Sequence, residues 1–216
     1  SGRTPDPGSA VDALIDAAHT NSGLLELVTL GPLTNIALAV QKDPTIVGHI
    51  KRCVVMGAVA DHIGNVTPVA EFNMWVDPEA VDVVLRSGMK LEFVGWDISR
   101  FDACIVPAES AQIRAIGTPL AEFSIDIQRA VAEFCATETK VPGFDLPDPI
   151  AMAYAIDSSI ALTTREMYLE AVTGDGPARG MVVMDTLGVT HREPNALVVT
   201  KGDHARFMAM LADAVS

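Results

Sequence analysis

The feature that most constrains the fold is a regular alternation of short apolar segments with helical ones between residues 24 and 96. The apolar segments LLELVTL (24–30), CVVM (53–56) and LEFVGW (91–96) have the length and composition of buried strands. Helical segments at 33–41 and 77–88 separate them, the second opened by Asp77-Pro78 and closed by Gly88. A strand–helix unit of about 30 residues is typical of a parallel, doubly wound sheet. We therefore predict an α/β fold with an open, mostly parallel sheet flanked by helices.

The remaining segments extend this pattern. A first helix starts after Ser9, which forms a capping box with Asp12, and ends near Asn21. Further helices are predicted at 107–116, 120–139, 147–156 and 203–215, the second of them from the helical spacing of Phe123, Ile127, Val131 and Phe134. Strands are predicted at 165–172, 180–185 and 195–200, the first two of these as a hairpin. No repeat or linker interrupts the chain, so we expect one domain over residues 1–216.

Composition excludes several classes of function. The formal net charge of -13 disfavours nucleic acid and anionic membrane surfaces as partners, because both are negatively charged. No apolar run reaches the roughly 18 residues of a membrane span, and the first residues lack a secretory pattern. Cys53, Cys104 and Cys135 are too widely spaced to indicate a zinc site or a disulfide framework. Reduced thiols fit a cytoplasmic protein, which is the location we expect.

A polar cluster follows the second predicted strand. Asn65, Glu71 and Asn73 lie within GNVTPVAEFNMWVDPEA (64–80), and ligands of such sheets bind where strands end. Two amides and a carboxylate suit the hydroxyls of a polyol such as a sugar. The alternative is structural, since an Asn after Gly is common in turns and Glu71 could cap the next helix. Asp148, held between two prolines, is likewise either presented to a site or an N-cap.

Four segments, taken together and in order, carry a family resemblance. LGPLTNIALAV, VVMGAV, GNVTPVAEFNMWVDPEAV and DPIAMA resemble the inosine/uridine-preferring nucleoside hydrolases, from about residue 10 to the final helix. The resemblance implies an open sheet of Rossmann-like order. It also implies calcium-dependent hydrolysis of the N-glycosidic bond of ribonucleosides to ribose and free base, a role in nucleoside salvage, and a homodimer or tetramer.

The resemblance also assigns residues. Asn65, Glu71 and Asn73 match positions that hydrogen-bond the ribose hydroxyls, with Met56 and Phe72 beside them. Two further positions match ligands of Ca²⁺, namely Asp148, which also contacts ribose, and the backbone carbonyl of Leu30. Calcium takes 6–8 oxygen ligands, to which a ribose diol can contribute.

Two departures from the family pattern bear on catalysis. The aspartate motif D-x-D-x-x-x-D-D, which supplies most calcium ligands and the water-activating base, has no counterpart in residues 1–23, where Asp6 and Asp12 have the wrong spacing. We expect the chain to begin partway into the family fold, without its leading strands and with the general base upstream. Pro147 also stands where many relatives have the His that protonates the departing base, which leaves His62 as the nearest candidate in sequence.

These departures leave other functions open. The rivals to the enzyme are a non-catalytic ribose- or nucleoside-binding module, an inactive remnant, and a structural subunit paired with an active relative. Trp75 and Trp96 could stack on a base or belong to the core, so the sequence does not set the preferred base.

Overall fold

The computed structural model describes residues 2, 4–5, 7–60 and 63–216. In these residues the helices and strands follow one another as α1 (Ala10–Thr20), β1 (Leu25–Thr29), α2 (Thr34–Lys42), a 3₁₀ turn (Pro44–Gly48), β2 (Ile50–Met56), α3 (Phe72–Val76), α4 (Pro78–Arg86), β3 (Leu91–Val94), α5 (Trp96–Asp102), β4 (Cys104–Ile105), α6 (Pro107–Arg114), α7 (Pro119–Asp126), α8 (Arg129–Phe134), a π-helical turn (Cys135–Thr139), β5 (Phe144–Asp145), α9 (Pro147–Ile156), a 3₁₀ turn (Ser158–Ile160), β6 (Ala161–Met167), β7 (Leu169–Ala171), β8 (Val182–Met184), β9 (Ala196–Gly202) and α10 (His204–Val215).

A five-stranded sheet in the order β1-β2-β3-β9-β6 forms the centre of the fold. The first four strands run parallel, and β6 joins antiparallel at the edge beside β9. Helices connect the parallel strands, since a parallel pair needs a long crossover. The predicted α/β fold with an open, mostly parallel sheet is therefore confirmed.

Each face of the sheet buries its own core. Val55 and Phe93 point to the face covered by α1, α2 and α4. Their neighbours Val54 and Val94 point to the opposite face, where α5, α9 and α10 pack. Successive strand residues face opposite sides, so a strand buried on both faces has to be apolar throughout. This explains why the central segments are continuous apolar runs.

Several helix boundaries follow the predicted capping signals. Ser9 Oγ accepts a hydrogen bond from the Asp12 backbone N–H at the start of α1, and Asp77 caps α4 in the same way. The third strand, by contrast, ends at Val94 rather than at residue 96. Gly95 is the N-cap of α5, so Trp96 begins a helix that the sequence did not indicate.

The single helix predicted over 120–139 is wrong. The segment forms α7, α8 and a π-helical turn, after which Lys140 adopts a left-handed conformation with φ 58°. Phe123, Ile127 and Phe134, whose spacing predicted the helix, are each more than half exposed. These side chains are therefore not packed into the core, and within the described residues no buried contact of theirs keeps the segment as one straight helix.

The strand predicted over 165–172 is also divided. Its first part belongs to β6, whereas Leu169 begins β7, which pairs antiparallel with β8 as the predicted hairpin. The Asn195 side chain explains the change, because it accepts a hydrogen bond from the Leu169 N–H at 2.8 Å and donates one to the Leu169 carbonyl at 2.9 Å. These contacts detach Leu169 from the main sheet.

The three cysteines are buried and are not joined by disulfides. Among the helices of the described residues, none combines the length and the apolar character that crossing a bilayer requires.

Candidate functional site

A cavity of about 590 Å³ opens at the carboxyl ends of β1, β2 and β3. Leu30 follows β1, Met56 ends β2, and Trp96 lies just beyond β3, so three parallel strands deliver residues to the same edge. The cavity is lined by Leu30, Met56, Asn65, Glu71, Phe72, Asn73, Trp96, Gln128, Val131, Phe134, Cys135, Thr139, Asp145, Leu146, Pro147, Asp148 and Pro149. The structure thus brings together Leu30, Met56, Asn65, Glu71, Phe72, Asn73 and Asp148, all of which the sequence nominated.

Glu71 is buried at the base of this cavity and caps the short helix α3. Its Oε1 accepts a hydrogen bond from the backbone N–H of Asn73 at 3.0 Å, and its Oε2 accepts from those of Met74 at 3.4 Å and Ala58 at 3.2 Å. Burial raises the pKa of Glu71, and the charge of Asp148 adds to this, while the three backbone hydrogen bonds oppose it. Glu71 therefore has the capping role that the sequence left open as an alternative. Because a carboxylate has about four acceptor positions, capping still leaves Glu71 able to accept a hydrogen bond from a ligand.

The loop after β2 holds Glu71 against the sheet. Ala58 has φ 63°, a left-handed conformation that is uncommon for a residue with a side chain. Its N–H donates to Glu71, and its carbonyl accepts from the Trp96 N–H at 3.0 Å. Backbone strain of this kind persists where the surroundings fix it, often beside functional residues.

Asn73 projects from α3 into the cavity and is also buried. Its Nδ2 donates to the Met56 carbonyl at 3.2 Å and lies equally close to the Met56 Sδ. These contacts fix the amide's orientation and leave its Oδ1 for a further partner.

Asn65 approaches from the loop that precedes α3. Its Oδ1 accepts a hydrogen bond from the Phe72 N–H at 2.8 Å, so its amide nitrogen remains exposed as a donor. The loop itself is tightly folded, because a Cβ on Gly64 would lie 2.2 Å from the Ala70 carbonyl oxygen. Glycine is thus required there, and the predicted Gly-Asn turn has a steric cause.

Asp148 stands in the first turn of α9, between Pro147 and Pro149. It is exposed toward the cavity, and the partial burial of its carboxyl group raises its pKa. Asp148 does not cap α9, because the N-cap position is occupied by Leu146, two residues earlier, and no side-chain capping hydrogen bond is formed there among the described residues. Of the two readings that the sequence left open, the N-cap reading is therefore wrong.

The sequence analysis missed several other residues that line the cavity. Asp145 was not identified from the sequence, and Cys135 was interpreted only as a reduced thiol. Trp96, for which base stacking and the core were both left open, is 5% exposed and packs in the core while also bordering the cavity. Val131 and Phe134 were predicted from their spacing to be on an apolar helix face, and these two residues of that face line the cavity. Trp75, the other candidate for stacking, lies outside the lining and contacts Gly180 instead.

The histidines do not supply an acid within the described cavity. His62, the candidate for protonating the departing base, lies outside the residues that the structure describes. Elsewhere, His19 pairs with Asp43, and His204 pairs with Glu109.

The predicted metal ligands do not form a complete calcium site by themselves. Asp148 and Leu30 line the same cavity, but in the described ranges no three His, Cys, Asp or Glu side chains are placed to hold an ion. Two protein ligands fall short of the 6–8 that calcium takes.

The cavity as a whole has two chemically different parts. Asn65, Glu71, Asn73 and Asp148 contribute carboxylates and amides, whereas Val131 and Phe134 add exposed apolar surface and the largely buried Trp96 also borders the cavity. A ligand with hydroxyl groups at one end and a flat ring at the other matches this division.

Comparison with protein-family models gives one match that covers most of the chain. The model for the inosine-uridine preferring nucleoside hydrolases matches residues 1–209.

Curated proteins and solved structures give consistent matches. The pyrimidine-specific ribonucleoside hydrolase RihA of Salmonella agona is 33% identical over 210 residues, which are 97% of this chain and 67% of that protein. RihB of Escherichia coli, also described as pyrimidine-specific, is 33% identical over 99% of this chain and 67% of its own length. A purine-preferring ribonucleoside hydrolase from Gardnerella vaginalis superposes with a TM-score of 0.88 at 30% identity, covering 100% of this chain and 67% of that one. A plant nucleoside hydrolase gives a TM-score of 0.92 at 26% identity, over 100% and 69%.

Proposed function

The chain belongs to the inosine-uridine preferring nucleoside hydrolase family, whose N-ribohydrolase chemistry it shares, and on this premise we propose that its cavity binds the ribose of a ribonucleoside and promotes hydrolysis of the N-glycosidic bond. One observation carries the proposal. Four polar residues from two distant segments of the chain, namely Asn65, Glu71, Asn73 and Asp148, line the same cavity at the strand ends.

The chemistry of these side chains suits ribose hydroxyls. The carboxylates of Glu71 and Asp148 accept hydrogen bonds from hydroxyl groups, and charge-assisted bonds of this kind are the stronger ones. Asn65 offers its free amide nitrogen as a donor, and Asn73 offers its Oδ1 as an acceptor. Backbone contacts already fix three of these groups, so little ordering remains to be done on binding.

The same two carboxylates favour a positively charged reaction centre. Glycoside cleavage passes through an oxocarbenium-like state in which the sugar gains positive charge. Burial is the main cause that raises the pKa of Glu71, and the negative charge of Asp148, which lines the same cavity, adds to it. Positive charge developing on a ribose beside them relieves the repulsion between the two negative charges, and such a preorganised field stabilises the transition state more than the substrate.

Calcium dependence is a separate proposal that rests on the family resemblance. Leu30 and Asp148 are the ligands we assign within this chain, and they supply only part of a calcium shell. When bound, the ion would supply an activated water. We assign the protein's part in the reaction, namely binding and orienting ribose, to the side chains named above.

The relatives do not agree on the base. RihA and RihB are described as pyrimidine-specific, whereas the Gardnerella vaginalis enzyme is described as purine-preferring. We therefore propose ribonucleosides as the substrate class, with the base to be found by assay. A single domain over residues 1–216, a cytoplasmic location, a homo-oligomeric state and a role in nucleoside salvage complete the proposal.

The experiment that tests this function measures both binding and turnover by the 216-residue chain. Calorimetry with ribose, uridine and inosine reports binding, and release of reducing sugar, with added Ca²⁺ or with a chelator, reports hydrolysis. We expect the chain to bind ribose and nucleosides, and we expect Asp148→Ala to weaken both interactions. Binding without sugar release under either condition would favour the non-catalytic binding module, and no binding of ribose or nucleoside would contradict the proposed site.

A further inference from the structure

The lining of the cavity contains a further buried acid to which the proposed function gives no role. Asp145 ends β5 and is 8% exposed. Its Oδ2 accepts hydrogen bonds from the Trp96 Nε1–H at 2.7 Å and the Ser99 hydroxyl at 3.2 Å. Its Oδ1 accepts from the Cys135 thiol at 3.3 Å. One carboxylate thus joins β5, α5 and the π-helical turn.

The nature of these partners makes the arrangement unusual for a purely structural acid. The donors are neutral, and the single Ser99 hydroxyl proton is shared with the Trp96 carbonyl at 2.8 Å. Within the described part of the chain no lysine or arginine forms an ion pair with Asp145. Burying a carboxylate without an opposite charge is costly. The side chains it holds include Trp96 and Cys135, both of which line the cavity, as does Asp145 itself.

A second, independent tie connects the same parts of the lining. The Arg100 guanidinium lies 4.8 Å from the centroid of the Trp96 ring, and its Nη2 donates to the Thr139 carbonyl at 3.3 Å. Thr139 ends the π-helical turn that Cys135 begins. Trp96 is therefore fixed at its N–H edge by Asp145 and on its face by Arg100, and both residues also hold the π-helical turn. Short π-helical turns occur frequently at functional sites.

We propose that Asp145 is a positioning residue that fixes Trp96 and the 135–139 turn as a rigid wall against which the nucleobase lies. The inference rests on the proposed function, because it assumes that ribose occupies the polar part of the cavity. Preorganised aromatic surface improves binding by reducing the ordering that a ligand has to impose. None of the hydrogen-bond partners of Asp145 given above is a residue that we assign to ribose, so Asp145 should act on the base rather than on the sugar.

The experiment compares ribose with nucleosides in two variants at one position. Asp145→Asn is close to isosteric but keeps only one acceptor oxygen, so either the Trp96 Nε1–H or the Cys135 thiol loses its acceptor. Asp145→Ala loses both. We expect the affinity of the 216-residue chain for uridine or inosine to fall about tenfold in the alanine variant, because hydrogen bonds to a charged group are lost. The affinity for ribose should change by less than about twofold, and the asparagine variant should lie between.

Asp102→Asn is the matched control. Asp102 is 3% exposed, accepts a hydrogen bond from the Gly202 N–H at 2.8 Å and pairs with Lys201, but it does not line the cavity. The control variant should lose stability without changing the ratio of nucleoside to ribose affinity.

Fluorescence gives a second readout that needs no ligand. The chain has two tryptophans, so Trp75→Phe leaves Trp96 as the only reporter of the wall. Replacing Asp145 in this background should shift the Trp96 emission, and the Asp102→Asn control should not.

The outcomes separate the two proposals. If the unsubstituted chain binds neither ribose nor nucleoside, the proposed function fails. If ribose binds, but Asp145→Ala and Asp145→Asn leave nucleoside affinity unchanged or weaken ribose equally, the positioning role is overturned while the function stands. An unchanged Trp96 emission in both variants overturns it as well.

Discussion

At the scale of single residues, Glu71 combines a structural role with a functional one. Its carboxylate caps α3 through backbone N–H groups and at the same time faces the cavity beside Asp148. The short helix α3 cannot be stable alone, since isolated helices of this length are marginal in water. The side chain to which we assign ribose binding therefore also stabilises the helix that carries Asn73.

Glu71→Gln tests this double role. The amide keeps one acceptor oxygen but loses the charge, so we expect the affinity for ribose to fall about tenfold and stability to fall by about 1 kcal/mol from the weakened cap. Calorimetry with ribose and urea unfolding measure the two effects. Glu193→Gln, at an exposed position in the loop before β9, should change neither. Unaltered ribose affinity in the Glu71 variant would remove Glu71 from the site.

The sequence indicated some of the residues that line the cavity but not others. Asn65, Glu71 and Asn73 lie within one 17-residue segment, so the spacing alone shows them together. Asp145, Cys135 and Trp96 come from three segments without a shared motif, and only the pairing of β4 with β5 and the start of α5 at Trp96 bring them together. Chain order carries little signal for such long-range contacts.

At the scale of secondary-structure elements, a charged network joins the three strands that deliver the site. Arg52 on β2 donates to Glu26 on β1 at 2.7 Å, to Glu92 on β3 at 3.0 Å and to the Ala155 carbonyl of α9 at 2.7 Å. Tyr154 of α9 donates to Glu92 at 2.9 Å, and burial raises the pKa of this phenol. The network thus fixes β1, β2, β3 and α9 relative to one another.

Arg52→Met should destabilise the protein by about 3 kcal/mol, because Glu92 would remain a buried charge without its main partner. Lys51→Met, one residue earlier on the same strand, removes a pair whose lysine is 57% exposed and should cost less than about 1 kcal/mol. Denaturant unfolding of both variants measures the difference. Equal losses would show that the network does not stabilise the sheet.

Elements with strong local signals were predicted, and those fixed by tertiary contacts were not. Apolar runs and helix caps indicated β1, β2, α1 and α4 correctly, because burial on both faces and capping act within a few residues. The division of 120–139 depends instead on a segment whose apolar side chains face the cavity and solvent. The separation of β7 from β6 depends on Asn195, which is distant in sequence.

At the scale of the whole molecule, one ion pair closes the contact between α5, α6 and α10. His204 Nε2 lies 2.7 Å from Glu109 Oε1, and its Nδ1 lies 3.1 Å from the Asp102 carbonyl oxygen. Both ring nitrogens face acceptors, so the doubly protonated ring fits best. Burial lowers the pKa of His204, but the hydrogen bonds to Glu109 and Asp102 and their charges outweigh it, and the pKa is raised above 6.5.

Stability should consequently depend on pH through this pair. Because the pKa of His204 is higher in the folded state, its contribution is full below pH 6.5 and is lost as the pH rises through the raised value. The pKa of Glu109 is lowered below 4.5 despite its burial, so the pair is intact between these limits. The difference in Tm between the wild type and His204→Gln should therefore shrink from pH 6 to pH 9. A difference in Tm that stays constant with pH would contradict this role. So would a pH-dependent difference that persists when Glu109→Gln is introduced into both the wild type and the His204→Gln variant.

The most direct test of the ribose site is a crystal structure of the chain with a bound ribonucleoside. We predict that the ribose hydroxyls lie within about 3.2 Å of Glu71, Asn73 and Asp148, with the base toward Trp96 and Phe134. A second cavity of about 920 Å³, lined by residues that include Ile105, Arg129 and Phe144, lies on the other side of α8 and offers a competing location. A nucleoside bound there, or with its sugar away from Glu71 and Asp148, would contradict the site assigned to this protein.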